Sequence, residues 1–266
     1  MLLPVQTSGS KPPLFFVHGP NGVMPLGPSF AAILGPEQPL YVIHANGIDG
    51  RAPPIDDMRD MVLAYVQEIE TACGTGPLLV GGMGAGSLAA IEIGRELQDR
   101  TRQIGPVILL DPPTIPPGYI KENQGTGPVS PLVAGQLYQE ARRSLLRLAS
   151  NPSSDTPFDP SDPNQLHLAI LAGVGSLLAC RRFIPSPFSG SVAVIVSAER
   201  AAGFFHPQVP WHKLLPGPRM VYALPWSHDD LLQSGRQIVA QVLQLMIEEA
   251  SMLDAVTKRL TEPALA

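Results

Sequence analysis

The chain has 266 residues, of which 44% are hydrophobic and 15% are charged, and its formal net charge at pH 7 is −5. This length and composition are typical of one globular α/β domain that buries a sizeable core. The net negative charge argues against nucleic acid or an anionic membrane as a main partner. The sequence contains no run of 18 apolar residues, so it predicts no membrane span.

Cysteine use and the N-terminal segment bear on the cellular setting. The two cysteines, Cys73 and Cys180, cannot form a disulfide framework, which favours a reducing, cytoplasmic location. Residues 1–4 do not open a basic region followed by a long apolar stretch, so no signal peptide is predicted. The sequence has no C-x-x-C or H-E-x-x-H pattern, and we therefore expect no metal site.

Short apolar strands alternate with helical patterns along most of the chain. The predicted strands are Leu14–Val17, Leu40–Ile43, Leu78–Val80, Val107–Leu110, Val192–Val196 and Met220–Leu224. The predicted helices between and after them are Met58–Cys73, Ser87–Leu97 and Ile238–Met252. Strands separated by helices indicate βαβ units and a mostly parallel sheet, in which reactive groups gather at the carboxyl ends of the strands.

Residues 112–190 interrupt this alternation. They begin with the proline-rich run 112–117, which cannot continue a strand or begin a regular helix. Two helical patterns follow at 133–149 and 165–180, with a loop-like stretch rich in Pro, Ser and Asp between them. We interpret the block as a helical lid inserted into one domain of residues 1–266; two ordinary crossover helices are the alternative.

Gly84 lies at the centre of a glycine-rich segment that runs from an apolar strand into a helix. The segment has the form of the nucleophile elbow, G-x-S-x-G, with glycine where the serine stands. The elbow is a tight and strained turn that requires glycine on both sides, and Gly82 and Gly86 provide it. The sequence therefore predicts the frame of a serine-type hydrolase site without its reactive atom.

Asp111 and His228 supply the two other groups that such a site needs. A serine-type hydrolase requires an imidazole to take the nucleophile's proton and a carboxylate to orient that imidazole, in the chain order nucleophile, acid, histidine. Asp111 directly follows the strand 107–110, and His228 follows the strand 220–224. Alone, Asp111 also suits a turn and His228 a solvated loop, but their joint order around the elbow favours a site derived from a triad.

The chain resembles the thioesterase domains of nonribosomal peptide and polyketide synthases over residues 1–252. The matching segments are Pro13–Gly19, the Gly81–Gly86 elbow, Leu109–Asp111 and Ser227–Leu232. The resemblance implies an α/β-hydrolase fold with a helical lid. It also implies no cofactor of its own, and a substrate delivered as a thioester on the phosphopantetheine arm of an acyl or peptidyl carrier protein.

The same resemblance assigns roles to individual positions. Asp111 and His228 match the family's acid and histidine, whereas Gly84 matches a nucleophile that is usually Ser and in some members Cys. One oxyanion-hole donor is expected to be the backbone N–H of Ala85.

The second oxyanion donor is expected near Pro20, which has no backbone N–H, so Asn21 would have to replace it through its own N–H or its side-chain amide. Met83 and Trp226 complete the expected substrate-binding set, although Trp226 equally suits a packing role.

Three other side chains are candidates to replace the missing nucleophile. Ser87 lies one turn into the helix, Ser227 is the chain neighbour of His228, and Cys180 falls in an apolar helix of the predicted lid. None of these placements suits an elbow nucleophile. His18 suits the lining of the site, a supporting position behind that lining, or a solvent-facing position, and His206 suits a surface loop near the site.

The sequence is compatible with three functions. The chain is a thioesterase whose nucleophile has been replaced, naturally or deliberately; or it is an enzyme that uses a His228–Asp111 dyad as general base for a cyclisation, elimination or isomerisation. The third function is a non-catalytic protein that binds an acyl group or a carrier protein. Retention of both Asp111 and His228 disfavours the pure binder.

Overall fold

A seven-stranded sheet, ordered β1-β3-β2-β4-β5-β6-β7, runs through the centre of the computed structural model, which describes residues 1–113, 129–150, 156–205 and 211–261. Every neighbouring pair is parallel except β1 and β3, which are antiparallel. The strands are β1 (Leu2–Gln6), β2 (Leu14–Val17), β3 (Leu40–Ile43), β4 (Leu79–Met83), β5 (Val107–Leu110), β6 (Val192–Ser197) and β7 (Arg219–Leu224).

Helices cover both faces of this sheet. In chain order they are α1 (Pro28–Leu34), α2 (Met58–Ala72), α3 (Gly86–Asp99), α4 (Pro131–Ala149), α5 (Pro163–Arg182), α6 (Ala198–Phe205), α7 (Trp211–Leu214) and α8 (Arg236–Thr261). Side-chain caps fix where several of them begin. Asp57 accepts hydrogen bonds from the first turn of α2, and Asp162 does the same for α5.

The alternation of side chains along each strand divides the core into two layers. On β2, Phe15 and Val17 pack with α2 and α3, whereas Leu14 and Phe16 pack with α1 and α8 on the opposite face. All four are fully buried, as expected for a central parallel strand.

The predicted α/β class, parallel sheet and α/β-hydrolase fold are confirmed. All six predicted strands form, with bounds that differ by at most three residues. The sequence did not predict β1 or α1. β1 is a half-buried edge strand that contains Pro4, and α1 is a seven-residue helix between Gly27 and Gly35, so neither has a long periodic pattern.

The insertion between β5 and β6 contains α4 and α5, which pack against each other over the carboxyl edge of the sheet. Their buried residues share one apolar cluster with Val23, Ala45 and Ile48, which belong to the loops after β2 and β3. The far end of α5 also joins the main core through Ala179. Residues 114–128 and 151–155 of the predicted lid lie outside the described residues, so its limits of 112–190 stay a prediction.

Among the described helices, α5 alone is long and apolar enough to cross a membrane, by length and composition only. Its most apolar 18-residue window is 44% buried inside the protein, and buried core helices meet the same criteria. It is therefore weak evidence for a span.

Candidate active site

Gly84 occupies the turn between β4 and α3. Its φ of +56° lies in the left-handed region, which favours glycine. The Gly84 N–H donates to the carbonyl oxygen of Leu110 at 2.8 Å, and the Ser87 N–H donates to the Gly84 carbonyl at 3.0 Å. The first bond ties the turn to the end of the neighbouring strand β5, so position 84 is held at the carboxyl edge of the sheet, and the second closes the turn into α3.

The two flanking glycines are required because backbone segments meet closely at the turn. A Cβ on Gly82 would collide with the carbonyl oxygen of Gly86, and a Cβ on Gly86 would collide with that of His18. Around Gly84, by contrast, a Cβ would meet no atom closer than 3.4 Å. The elbow therefore excludes side chains on both flanks and has room for one at its centre.

Asp111 follows β5 and is completely buried. Its Oδ1 accepts the backbone N–H of Ser197 at 2.7 Å, and its Oδ2 accepts Nδ1–H of His228 at 2.5 Å. Burial acts to raise the pKa of this carboxyl, but the hydrogen bonds from His228 and Ser197 and the charge of Arg200 outweigh it and lower the pKa. Asp111 is thus an ionised acceptor at neutral pH.

His228 lies in the loop between β7 and α8, and its imidazole faces the elbow. Because ionised Asp111 only accepts hydrogen bonds, Nδ1 carries a proton, and in the neutral ring the lone pair is on Nε2. A Cβ on Gly84 would lie 3.7 Å from Nε2 and 3.4 Å from Cε1 of this ring. The structure thus brings together the three positions that the sequence assigned to nucleophile, acid and base.

Arg200 contacts Asp111 and was not predicted from the sequence. Its Nη1 lies 3.2 Å from Oδ2 of Asp111 and donates to the Asp111 carbonyl oxygen at 2.6 Å. The Asp111 backbone has a φ of +50°, which is unusual for a non-glycine residue, so Arg200 holds both the carboxylate and its strained backbone. A lone arginine in the short helix α6 carries no sequence pattern that points to such a contact.

The two predicted oxyanion-hole positions, Ala85 and Pro20, have different surroundings. Within the described residues, the Ala85 N–H donates to no protein acceptor. Pro20 lines the space above Gly84, with Cδ 3.7 Å from the place of a Cβ there.

The Asn21 side chain is occupied elsewhere. Its Oδ1 accepts the Val23 N–H at 3.0 Å, and its Nδ2 donates to Oγ of Ser144 on α4 at 3.1 Å. One Nδ2 hydrogen is thus donated to α4 of the insertion, and the amide is held between this helix and the loop after β2.

Met83 and Trp226 are partly buried and pack against the core cluster that includes α8. Met83 is the last residue of β4, directly before Gly84, whereas the Trp226 ring lies against Gly235, where a Cβ would approach within 2.9 Å of it. The contact with Gly235 gives Trp226 a packing role.

The substitute nucleophiles are all committed elsewhere. Ser87 is completely buried and donates its hydroxyl to the Gly82 carbonyl at 3.1 Å. Ser227 donates its hydroxyl to Oδ2 of Asp230 at 2.6 Å. Burial raises the pKa of the Cys180 thiol to about 12, so this side chain is not a thiolate at neutral pH.

His18 is buried behind the elbow. Its Nδ1 lies 2.6 Å from the Gly19 carbonyl and its Nε2 lies 2.6 Å from the Tyr65 hydroxyl, so a solvent-facing position for His18 is wrong. Burial lowers its pKa to about 4 and keeps the ring neutral. His206 lies outside the described residues.

Comparison with known proteins places this geometry in context. Residues 12–140 match the family model described as Thioesterase domain. Malpibaldin synthetase of Mortierella alpina is 32% identical over 111 residues, which are 42% of this chain and 2% of that protein. A dimodular nonribosomal peptide synthase of Bacillus subtilis (strain 168) is 31% identical over 42% of this chain and 5% of its own length. The chain thus spans only a small part of these curated relatives.

Solved structures share the whole fold at low sequence identity. The NocB thioesterase domain from the nocardicin cluster matches with a TM-score of 0.66 and 19% identity, over 93% of this chain and 98% of that one. The type II thioesterase BorB from the borrelidin cluster matches with a TM-score of 0.66 and 17% identity, over 92% and 97% of the two chains. In sequence and in fold, the chain resembles the thioesterase domains of nonribosomal peptide and polyketide synthases.

Proposed function

We propose that this chain performs acyl-thioester chemistry on acyl, peptidyl or polyketide groups that a carrier protein presents on its phosphopantetheine arm. The observation that carries the proposal is the position of His228, held by Asp111 so that its Nε2 lies 3.7 Å from the place of a Cβ on Gly84. This is the spatial relation of base to nucleophile that acyl transfer requires.

The elbow lacks the atom that would form an acyl-enzyme. In a serine or cysteine hydrolase, the histidine takes the nucleophile's proton while a backbone N–H after the elbow centre stabilises the oxyanion. Here Asp111, His228 and the Ala85 N–H suit those tasks, but Gly84 offers no oxygen or sulfur. Acyl-enzyme turnover at this position is therefore lost, and any remaining chemistry must run without it.

Carrier-protein delivery and a cytoplasmic location belong to the same proposal. The likeness to synthetase thioesterase domains supports carrier-protein delivery. The location rests on the two cysteines, Cys73 and Cys180, which are free thiols. Direct pull-down with a phosphopantetheinylated carrier protein tests the partner. Equal recovery with a carrier that lacks the arm would count against recognition of the thioester-bearing arm.

Restoring the nucleophile tests the function. Gly84→Ser and Gly84→Cys should hydrolyse acyl thioesters through an acyl-enzyme. Gly84→Ala is the matched control, because it adds the same Cβ and the same backbone strain but cannot form an acyl-enzyme. Because loss of the nucleophile typically costs about 10⁶-fold in kcat, we expect a gain of at least about 10³-fold over Gly84→Ala in one of the two variants. Equal rates in all three variants across a panel of acyl chains would contradict the proposal.

A further inference from the structure

We infer that the site as it stands transfers the acyl group of a thioester directly to a water-sized hydroxyl nucleophile, which His228 activates in the space above Gly84. The inference rests on the proposed function for its substrate class. It adds a reaction that does not pass through an acyl-enzyme.

Space for the nucleophile is defined by the elbow. A Cβ added to Gly84 would lie in ordinary van der Waals contact with its three nearest neighbours, Cε1 and Nε2 of His228 and Cδ of Pro20, at 3.4 to 3.7 Å. Because glycine places no side chain there, a small oxygen group can approach Nε2 on this side of the imidazole. Since it is not bonded to Gly84, it would lie further from the backbone than the Cβ point, about where the oxygen of a serine at position 84 would be.

The base is ready to act on such a group. Nδ1–H of His228 is donated to Asp111, so in the neutral ring the lone pair is on Nε2, and no group among the described residues hydrogen-bonds to Nε2. The His228 side chain is 26% exposed, so small molecules from solvent can reach it. Asp111 is ready to stabilise the imidazolium that forms when Nε2 takes a proton.

No side chain nearby competes as the attacking group. The hydroxyls of Ser87 and Ser227 are each bound to another acceptor, and the Cys180 thiol is buried with a raised pKa. None of these three candidates therefore supplies the nucleophile, and we take it to come from outside the protein. The site therefore differs from a catalytic triad in which a serine at another position of the chain replaces the elbow serine.

The reaction balances without a further reagent. The hydroxyl oxygen forms a bond to the thioester carbonyl carbon as Nε2 takes its proton, and the carbonyl oxygen becomes an oxyanion beside the Ala85 N–H. The C–S bond then breaks, and the proton passes from Nε2 to the departing sulfur. Water gives a carboxylic acid and a free thiol, and His228 returns to its neutral form.

The test is thiol release from acyl N-acetylcysteamine thioesters by the unaltered protein, with intact-mass measurement alongside. We expect turnover above the uncatalysed rate, no acylated protein, and methyl ester as a second product when methanol is added. His228→Ala should remove the acceleration. Gly84→Ala should lower it at least about tenfold, because its methyl group fills the nucleophile's space, whereas Gly74→Ala, at a glycine with open space around it, should leave it unchanged.

Each outcome bears on one claim. Absence of acceleration by the unaltered protein, or an acceleration that survives His228→Ala, overturns the inference. If the unaltered protein is inert on substrates that Gly84→Ser turns over, the direct route is wrong and the proposed function stands. If Gly84→Ser and Gly84→Cys are inert as well, both fail. Thermal melting curves show whether Gly84→Ala folds. If this variant does not fold, the rate of His228→Ala alone tests the inference.

Discussion

The carboxylate of Asp111 accepts the Nδ1–H of His228 at 2.5 Å across 117 positions of sequence. The parallel sheet makes this contact possible, because β5 and β7 both end at the edge where Gly84 turns into α3. The pair fixes the tautomer of His228 and directs its basic nitrogen toward the elbow.

Replacing Asp111 with Asn tests that role. In the Gly84→Ser background, Asp111→Asn should lower kcat by about 10⁴-fold, because an amide that donates to Nδ1 stabilises the wrong tautomer of His228. Steady-state kinetics with the preferred thioester measure the effect. A loss of less than tenfold would mean that Asp111 does not orient the base.

Arg200 is expected to position Asp111 rather than to meet the substrate. Arg200→Gln removes a positive charge 3.2 Å from Oδ2 of Asp111, so the pKa of that carboxyl should rise. Carboxyl ¹³C NMR titration of the protein follows this pKa without reference to activity. Arg181→Gln, which breaks an exposed ion pair with Glu140, is the matched control and should leave it unchanged. If the pKa of Asp111 is the same in Arg200→Gln as in the unaltered protein, Arg200 has a purely structural role.

Three glycines of the elbow should differ sharply in their tolerance of alanine. Gly84→Ala should cost about 1 to 2 kcal/mol of unfolding free energy, because only the left-handed backbone is strained. Gly82→Ala and Gly86→Ala add a Cβ that collides with backbone carbonyls, and each should cost at least about 3 kcal/mol or prevent folding. Urea unfolding ranks the three variants, and equal costs would contradict the described turn.

Acid should destabilise the fold through two buried histidines. Burial lowers the pKa of His18 to about 4 and, with the charge of His18, lowers that of His44 to about 3, against 6.5 for the unperturbed ring. Below pH 6.5 the unfolded chain therefore binds protons that the folded chain does not. The unfolding free energy should fall by up to about 1.4 kcal/mol per pH unit for each ring, until the pH nears the folded pKa.

His44→Asn isolates one of these two contributions. The asparagine Oδ1 can accept the Met24 N–H that His44 Nδ1 accepts at 3.2 Å, but it does not titrate. Urea unfolding of His44→Asn between pH 6.5 and 4 should show that the unfolding free energy changes with pH about half as steeply as in the unaltered protein. The same substitution at exposed His167 is the matched control, and an unaltered slope in His44→Asn would exclude His44 as its source.

The sequence predicted the candidate site better than its surroundings. Gly82, Gly84 and Gly86 form a local pattern that a tight turn between strand and helix explains. Asp111 and His228 each follow a strand, and the carboxyl ends of parallel strands meet at one edge of the sheet. The contact of Arg200 with Asp111 depends on how α6 leaves β6, and the bond of Asn21 to Ser144 depends on how α4 lies over the sheet. Such contacts are tertiary and carry no periodic signal, so one sequence does not reveal them.

The most direct measurement is intact-mass analysis of Gly84→Ser after brief exposure to an acyl thioester panel, with His228→Ala in the same background as control. The account predicts a mass increase of one acyl group on the introduced hydroxyl, formed rapidly with His228 present and at least about 10³-fold more slowly without it. No acylation with any substrate, or acylation at the same rate in both proteins, would contradict the claim that Gly84 stands at the nucleophile position of an assembled site.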